Sequence, residues 1–466
     1  MNTMPKIEVR LGEERLVTPG GLSTVGMLIE KTNLFEELDK VVATKKGGSV
    51  EIQNSDVVGA MVAINCQGKN DYENVNEFKD EKEVICDMLG IKKIPSPEIL
   101  RQRLDFISKS ILTIILNAIV DLLIKTNIKL TPCFGKHVPL DIDVTPFDNS
   151  KTQKEGVSWT YKKFDGYAPI TAALGIEGYI VGAELRPGSQ HSQKGTPEFL
   201  SQTIKSSKKI TNAPLLVRMD SGFDCKENII VCRKEDTQAD FIIKRNLGTR
   251  HETLEQWKNL VLENIKLKEE NPDNEINMSK VPNTRVGKDA YIGNEYHCIA
   301  GVKEPVRIVY EVIFRNSKAD GQILLEPDVE VNTFWVSLGE SEEVGMTASE
   351  VLQQYKAHAT SEQFHAELKT DMGLERFPSK YLNTNKALFL ISIFAYNILR
   401  VIGQESLKSD DAPLKRPVQR RRIRTVIQNL ITIAVRAVSH SRKTILSLGR
   451  SNAWRHTFIR VHSAFA

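Results

Sequence analysis

The chain has 466 residues, of which 41% are hydrophobic and 26% are charged. This is the composition of an ordinary soluble globular protein with material for about two to four domains, and it excludes a disordered chain. The formal net charge is only +4 at pH 7, but the basic residues are unevenly distributed.

The cysteines and the apolar runs limit the class of protein further. Six cysteines are spread along the chain without a Cys-x-x-Cys pair, which argues against a zinc site and a disulfide framework. Since no apolar signal segment follows Met1, we expect a cytoplasmic protein. The runs ILTIILNAIVDLLI and ALFLISIFAYNIL are shorter than the ~20 residues that cross a bilayer, so they predict buried helices and no membrane partner.

Residues 1–130 are predicted to be mostly helical. A helix should begin near Ser96, an N-cap residue that is followed by Pro97 and by Glu98 in the first turn. The helix and turn upstream, together with Arg101 and Arg103 on this helix, could form a DNA-reading helix-turn-helix. An ordinary helical hairpin would have the same pattern.

Residues 131–247 change character and predict an α/β fold. The segments VPLDIDVT, YAPITAALG and YIVGAELRPG are β-branched or alternating and predict three strands. A helix over TPEFLSQTIKSSKKI and two more strands, PLLVRMDSGFD and ADFIIKRN, follow. This order predicts a mixed sheet with helices packed on it.

The rest of the chain divides into three segments. Residues 248–345 combine a charged helix with alternating runs such as VRIVYEVIF, which predicts a β-rich insertion. Residues 346–405 return to helix. Residues 406–466 are basic, and 412–466 contain no Asp or Glu. An acid-free basic segment indicates a polyanionic partner, most often nucleic acid, although a solvated surface or a frayed end would look the same.

Carboxylates mark two strand ends and one helix. Asp141 and Asp143 would share a face of one strand, and Asp220 ends another. Glu362 lies on the predicted helix YKAHATSEQFHAELK. Acids on separate elements repel one another unless a cation holds them, and oxygen ligands suit Mg²⁺ or Mn²⁺. Singly, each acid is more simply explained as a turn former or a solvated residue than as a catalytic group.

The Glu362 helix has a distinctive polar face. Tyr355, His358, Glu362 and Lys369 would fall within an arc of ~60°. The pattern Tyr-x2-His-x3-Glu-x6-Lys resembles the Tyr-x2-Arg-x3-Glu-x6-Lys signature of DDE transposases from bacterial insertion sequences. Over roughly residues 135–405, the segments LDIDVT, KKFDGYAPITAALG, ELRPGSQHSQKGTPEFL, VRMDSGF, TSEQFHAELKTDMGLERFPS and AYNILRVIGQ resemble the group named after insertion sequence thirteen-eighty.

This resemblance implies an RNase H-like catalytic core with a β-rich insertion, preceded by a mostly helical DNA-binding region. It implies a catalytic triad of Asp143, Asp220 and Glu362 that binds two Mg²⁺ (or Mn²⁺) ions. Asp143 is preferred to Asp141 because the family's first acid lies in an Asp-x-Thr setting. The implied partners are the terminal inverted repeats and target DNA, bound by a homodimer on paired ends.

Further residues are expected to contact DNA. Tyr355, His358 and Lys369 would touch phosphates near the scissile bond, and the basic candidates are Arg101, Arg103, Arg420, Arg421, Arg422 and Arg424. His358 replaces the signature Arg, and an imidazole cannot form a bidentate phosphate contact, so we expect weaker binding or reduced activity. Two alternatives stay open: an RNase H-like nuclease without strand transfer, and an inactive DNA-binding derivative.

Overall fold

The computed structural model describes residues 7–10, 12–44, 50–250, 252–274, 276–282, 287–317, 322–340, 345–440 and 443–466. Its N-terminal part begins with a short strand and continues as five α-helices: β1 (Leu16–Val17), α1 (Leu22–Glu30), α2 (Leu34–Asp39), α3 (Asn54–Asn65), α4 (Lys82–Leu89) and α5 (Pro97–Lys125). Helix α5 begins as its sequence predicts, because the Ser96 hydroxyl accepts a hydrogen bond from the Ile99 amide at 3.3 Å.

The middle of the chain alternates strands and helices. In chain order these are β2 (Val138–Val144), β3 (Phe147–Asp148), β4 (Ser158–Trp159), β5 (Asp165–Tyr167), β6 (Ile170–Leu174), β7 (Tyr179–Glu184), α6 (Thr196–Ile210), β8 (Leu215–Met219), α7 (Lys226–Arg233) and β9 (Asp240–Lys244). Strands β2, β8 and β9 pair in parallel, whereas β6 and β7 are antiparallel. The predicted α/β fold with a large mixed sheet is therefore confirmed.

The segment predicted as an insertion extends the same sheet. It contains α8 (Leu254–Glu270), β10 (Met278–Lys280), β11 (Lys288–His297), β12 (Val306–Ser317) and β13 (Ile323–Val336). Strand β13 pairs with β9, with Trp335 opposite Ile243. The sheet consequently has nine strands in the order β10-β11-β12-β13-β9-β8-β2-β6-β7.

The last part of the chain is helical and then returns to the N-terminal region. Its elements are α9 (Ala348–Ala357), α10 (Ser361–Ala366), α11 (Leu382–Glu405), α12 (Ile423–Val426), β14 (Val435–His440), β15 (Lys443–Leu448) and α13 (Arg455–Phe465). Strand β1 pairs with β14, with Val17 opposite Val435. A Cβ at Gly21 would lie 2.1 Å from the Leu430 carbonyl oxygen, so this close approach requires glycine. The basic C-terminal region is thus folded onto the N-terminal helices and is not a frayed end.

Helices α5 and α11 pack against each other at the centre of the molecule. They have 29 and 24 residues, and by length and composition alone each could cross a membrane. The sequence argument that these segments are too short was therefore wrong about length. The prediction of burial holds for α11, which is almost wholly enclosed, whereas about half of the apolar window of α5 is enclosed.

Candidate active site

Asp141 lies inside the protein and is fully engaged there. It pairs across the sheet with Arg218, whose Nε and Nη2 atoms donate to its two carboxylate oxygens, each at 2.7 Å. The Nδ1 atom of His358 lies 2.9 Å from Asp141 Oδ1. Burial alone would raise the pKa of Asp141, but the charges of Arg218 and His358 outweigh it and lower the pKa to about 2. Both oxygens of Asp141 are therefore bound by protein side chains, which gives this residue a structural role.

Asp143, two residues further along β2, faces a more open space. Its Oδ1 atom accepts a hydrogen bond from the Val144 amide at 2.7 Å, and its Oδ2 atom lies 3.5 Å from Ser361 Oγ and 3.4 Å from His365 Nδ1. Burial raises the pKa of Asp143. Asp143 is therefore the less enclosed carboxylate of the pair, and its catalytic role stays a prediction.

Asp220 immediately follows β8, the parallel neighbour of β2. One of its oxygens accepts a hydrogen bond from the Gly222 amide at 2.9 Å. Its pKa is raised, first by burial and then by the negative charge of Asp143. Since carboxyl ends of adjacent parallel strands lie at the same edge of a sheet, Asp143 and Asp220 face a common space.

Glu362 lies on a helical segment whose geometry is irregular. Helices α9 and α10 are joined by a 3-10 turn at His358–Thr360, and a π-helical turn follows at Glu367–Asp371. Ser361 contacts Asp143, whereas the next residue, Glu362, is exposed. Among the described residues, no group of three or more His, Cys, Asp or Glu side chains is close enough to hold an ion.

The chemistry of these residues nevertheless fits divalent cations. Asp143 and Asp220 repel each other in a half-buried space, and a cation would relieve both the burial cost and the repulsion. Carboxylate oxygens are the ligands that Mg²⁺ and Mn²⁺ prefer. A third ligand from Glu362 requires its side chain to turn from solvent toward the pair.

The predicted polar face of the Glu362 helix is only partly present. Tyr355 lies near both carboxylates: burial and then the charges of Asp220 and Asp143 raise the pKa of its phenol. Lys369 lies with its ammonium 5.7 Å from the centre of the Phe147 ring. His358 does not belong to this face, because it is buried against Asp141. Its position in this structure does not support the expected contact with a DNA phosphate.

Two of the predicted DNA-binding arginines are buried. Arg103 donates to the Ile52 carbonyl at 2.9 Å and to Asn54 Oδ1 at 3.0 Å. Arg421 packs on the Trp454 ring at 4.4 Å, and burial lowers its pKa to about 10. Both were expected to contact DNA, but each is held inside the protein. Arg101 is exposed and pairs with Glu98 on its own helix at 3.0 Å.

The rest of the 420–424 cluster holds the far end of the Glu362 helix. Arg420 donates to Gln363 Oε1 at 2.7 Å, lies 3.4 Å from Glu367 and stacks on Phe364 at 4.4 Å. Arg422 forms two hydrogen bonds of 2.8 Å with Asp371.

Asp371 and Glu367 each have a further basic partner. The amide of Arg424 donates to Asp371, while the side chain of Arg424 remains exposed. Glu367 is also bound by the buried Arg400. Basic residues that the sequence assigned to a polyanion therefore neutralise acids of the π-helical turn.

The comparison with known proteins agrees with the sequence motifs. A family model described as “Transposase DDE domain group 1” matches residues 2–466. The chain belongs to this family. The resemblance to DDE transposases is thereby confirmed, whereas the bacterial origin and the insertion sequence group stay predictions.

Other comparisons with this DDE transposase are weaker. No curated protein matches the chain. A cryo-EM structure of a piggyBac transposase synaptic complex with hairpin DNA aligns with a TM-score of 0.42 and 10% identity, over 88% of this chain and 78% of that one.

Several residues around the candidate site were not predicted from the sequence. Arg218 precedes Asp220 by two residues on β8, but its partner Asp141 is 77 positions away in the chain. Ser361 and His365 contact Asp143 from the helix. A serine or histidine on a helix has no local signal of such a contact, since only the folded position of the helix creates it.

Proposed function

We propose that this DDE transposase cleaves DNA at the ends of its element by hydrolysis and joins the released 3′-hydroxyls to target DNA. The observation that supports the proposal most is the meeting of Asp143 and Asp220 at the ends of two adjacent parallel strands. Two carboxylates that repel each other in a half-buried space suit the binding of a cation between them. Membership in the DDE transposase family makes phosphoryl transfer the reaction expected there.

The three catalytic carboxylates would have distinct supports. Asp143 is held by the Val144 amide and Asp220 by the Gly222 amide, while Glu362 is supplied by the helix that Ser361 attaches to Asp143. Together these acids would bind two Mg²⁺ or Mn²⁺ ions, which when bound activate the attacking water or hydroxyl and stabilise the leaving oxygen.

Other side chains would position the DNA around this centre. Tyr355 and Lys369 flank Glu362 and would contact phosphates next to the scissile bond. The exposed Arg101, Arg422 and Arg424 are candidates for contacts further along the duplex, beside their contacts with Glu98 and Asp371. His358, Arg103 and Arg421 leave the set of DNA contacts because they are buried.

The remaining features follow from the resemblance and are part of the proposal. Strands β2 and β6–β9 with their helices would be an RNase H-like core, and the N-terminal helices would bind the terminal inverted repeats. A homodimer would hold two DNA ends together in the bacterial cytoplasm. The element would belong to the insertion sequence thirteen-eighty group.

One reaction tests the proposal. The protein is incubated with Mg²⁺ or Mn²⁺, a labelled DNA that carries the element's end, and a supercoiled plasmid as target. We expect a nick at the end, a joined product, and loss of both with Glu362→Gln. The matched control is Glu263→Gln, which changes an exposed glutamate on α8. Nicking without joining would favour a nuclease, and binding without nicking would favour an inactive derivative.

A further inference from the structure

A small hairpin beside the catalytic carboxylates presents aromatic rings to solvent. Strands β3, β5 and β4 form a three-stranded sheet of their own, and the hairpin between β4 and β5 contains the sequence SWTYKKFD. Trp159 is 61% exposed and Tyr161 is 60% exposed. The other tryptophans of the chain are buried or half-buried. Two large exposed rings within three residues are informative, because such surface is normally covered or used for binding.

Hydrogen bonds close the turn of this hairpin although its rings are exposed. Both the amide and the hydroxyl of Thr160 donate to the Phe164 carbonyl at 2.9 Å. Lys163 adopts a left-handed φ of +65°, and its amide donates to the Thr160 carbonyl at 3.0 Å. A fixed turn loses little entropy when a ligand binds to it.

The position of Tyr161 places this surface at the proposed catalytic centre. Its hydroxyl donates to the carbonyl of Val144, the residue after Asp143, at 3.0 Å. Burial of the hydroxyl end, and then the charges of Asp143 and Asp220, raise the pKa of Tyr161. The tip of the side chain is therefore fixed next to the carboxylates while much of the ring remains open.

The positive charges of the hairpin suit the phosphates of a nucleic-acid strand. The Lys162 ammonium lies 5.5 Å from the centre of the Tyr161 ring, and Lys162 and Lys163 are both exposed. The pKa of Lys369 is lowered by burial and also by the charge of Lys162, so these two ammonium groups repel each other. The charge of Glu375 acts on Lys369 more strongly than that of Lys162, and Asp148 acts in the same direction, so these acids outweigh the repulsion. The exposed Lys162 and Lys163 remain as cations for phosphates, and the rings must supply the rest of the binding energy.

We propose that the Trp159–Tyr161 hairpin is a platform on which unpaired bases of a single DNA strand stack, with the strand's phosphates beside Lys162 and Lys369. Single strands are favoured over duplex because the faces of the bases are available only when they are unpaired. The platform rests on the proposed function, since it would hold the strand that leads to Asp143 and Asp220. It adds a binding site to that function and leaves the reaction unchanged.

Binding of a single strand without metal tests the platform. The probe is a fluorescein-labelled oligothymidylate of about 12 nucleotides, a length suited to single-strand sites, and the readout is anisotropy of the full chain over a range of salt. Trp159→Ala and Tyr161→Ala should each weaken binding by about 5- to 150-fold with an unchanged salt slope. Lys162→Ala should lower the slope by about 0.7, the value for one contact to a single strand.

Two controls separate stacking from general damage. Tyr296→Ala removes a ring of similar exposure (57%) on β11 and should leave binding unchanged. Tyr161→Phe keeps the ring and removes the hydrogen bond to Val144, so it should retain most of the affinity. The platform is overturned if the Trp159 and Tyr161 variants bind like the unaltered protein, or if Tyr296→Ala weakens binding equally.

The same assay distinguishes the platform from the proposed reaction. If the protein never cuts DNA but its oligothymidylate binding depends on Trp159 and Tyr161, the platform stands and the cleavage proposal fails. If it cuts DNA through Glu362 while these ring variants bind and cut normally, the cleavage proposal stands and the platform is rejected.

Discussion

The side chains of His358 and Asp141 form a hydrogen bond of 2.9 Å inside the protein. Burial lowers the pKa of His358, but the charge of Asp141 and this hydrogen bond outweigh burial and raise it. His358 thus ties the Glu362 helix to β2, at a position where the family signature has an arginine. The structural role explains how the chain accommodates a histidine there without a phosphate contact.

Replacement of His358 should affect stability rather than DNA binding. His358→Ala removes one of the groups that satisfy the buried Asp141 carboxylate, which should cost about 1–3 kcal/mol in the free energy of unfolding. Urea unfolding measures this cost, and the exposed His191→Ala is the control. The salt slope of DNA binding should not change. A slope lowered by about one unit, with no loss of stability, would instead identify His358 as a phosphate contact.

Arg420 should influence catalysis through the position of the Glu362 helix. Arg420→Ala removes the contacts with Gln363, Glu367 and Phe364, so the DNA cleavage rate should fall by about 10-fold or more while affinity and salt slope are kept. Arg416→Ala, at an exposed position nearby, serves as the control. If the salt slope falls and the cleavage rate is unchanged, Arg420 contacts DNA and does not position the helix.

Arg101 and Arg103 should respond differently to mutation although both lie on α5. Arg103→Ala leaves the Ile52 carbonyl and the Asn54 side chain without their buried donor, which should destabilise the protein by about 1–3 kcal/mol. Arg101→Ala should leave stability within about 0.5 kcal/mol and lower the salt slope of end binding if this face meets DNA. Thermal unfolding of both variants measures stability, and salt titration measures DNA binding. Equal losses of stability would contradict a structural role for Arg103 alone.

The acid stability of the π-helical turn should depend on Asp371. Burial alone would raise the pKa of Asp371, but its hydrogen bonds with Arg422 and the Arg424 amide outweigh burial and lower it. A carboxyl whose pKa is lowered by folding stabilises the native state above its unfolded pKa of ~3.9, and this contribution is lost as the pH falls through the lower folded value.

Asp371→Asn tests this relation. The unfolding free energy of the variant should lie below that of the unaltered protein at pH 6, and the difference should shrink as the pH falls below about 4. Chemical unfolding at a series of pH values measures the difference. A constant difference from pH 6 to pH 3 would show that ionised Asp371 does not stabilise the turn.

The elements of the fold were more predictable than the partners of individual side chains. The alternation in VPLDIDVT and the capping residues at Ser96 are local signals, and the corresponding strand and helix formed. The continuation of the sheet from β9 into β13 depends on pairing between distant segments, which local patterns do not encode. The basic character of residues 420–424 is evident from composition. Their contacts with Glu367 and Asp371 are not, because these depend on the folded chain.

In the candidate site, too, some features could be predicted from local sequence patterns and others could not. Asp143 and Asp220 could be predicted to meet because both end apolar strands, and the parallel pairing of β2 with β8 brings them together. The shared face of His358, Glu362 and Lys369 that an ideal helix predicts is not kept, since the 3-10 turn at His358–Thr360 and the π-helical turn at Glu367–Asp371 alter the rotation from residue to residue.

The most direct test of the account is the single-turnover rate of DNA end cleavage in Mg²⁺ or Mn²⁺ for three variants: Asp143→Asn, Asp220→Asn and Glu362→Gln. Each should cut at least about 10²-fold more slowly than the unaltered protein, while it still binds the DNA end. Asp236→Asn, at a surface aspartate paired with Lys205, should cut normally. Full cleavage activity in any of the three variants would contradict the proposed catalytic centre.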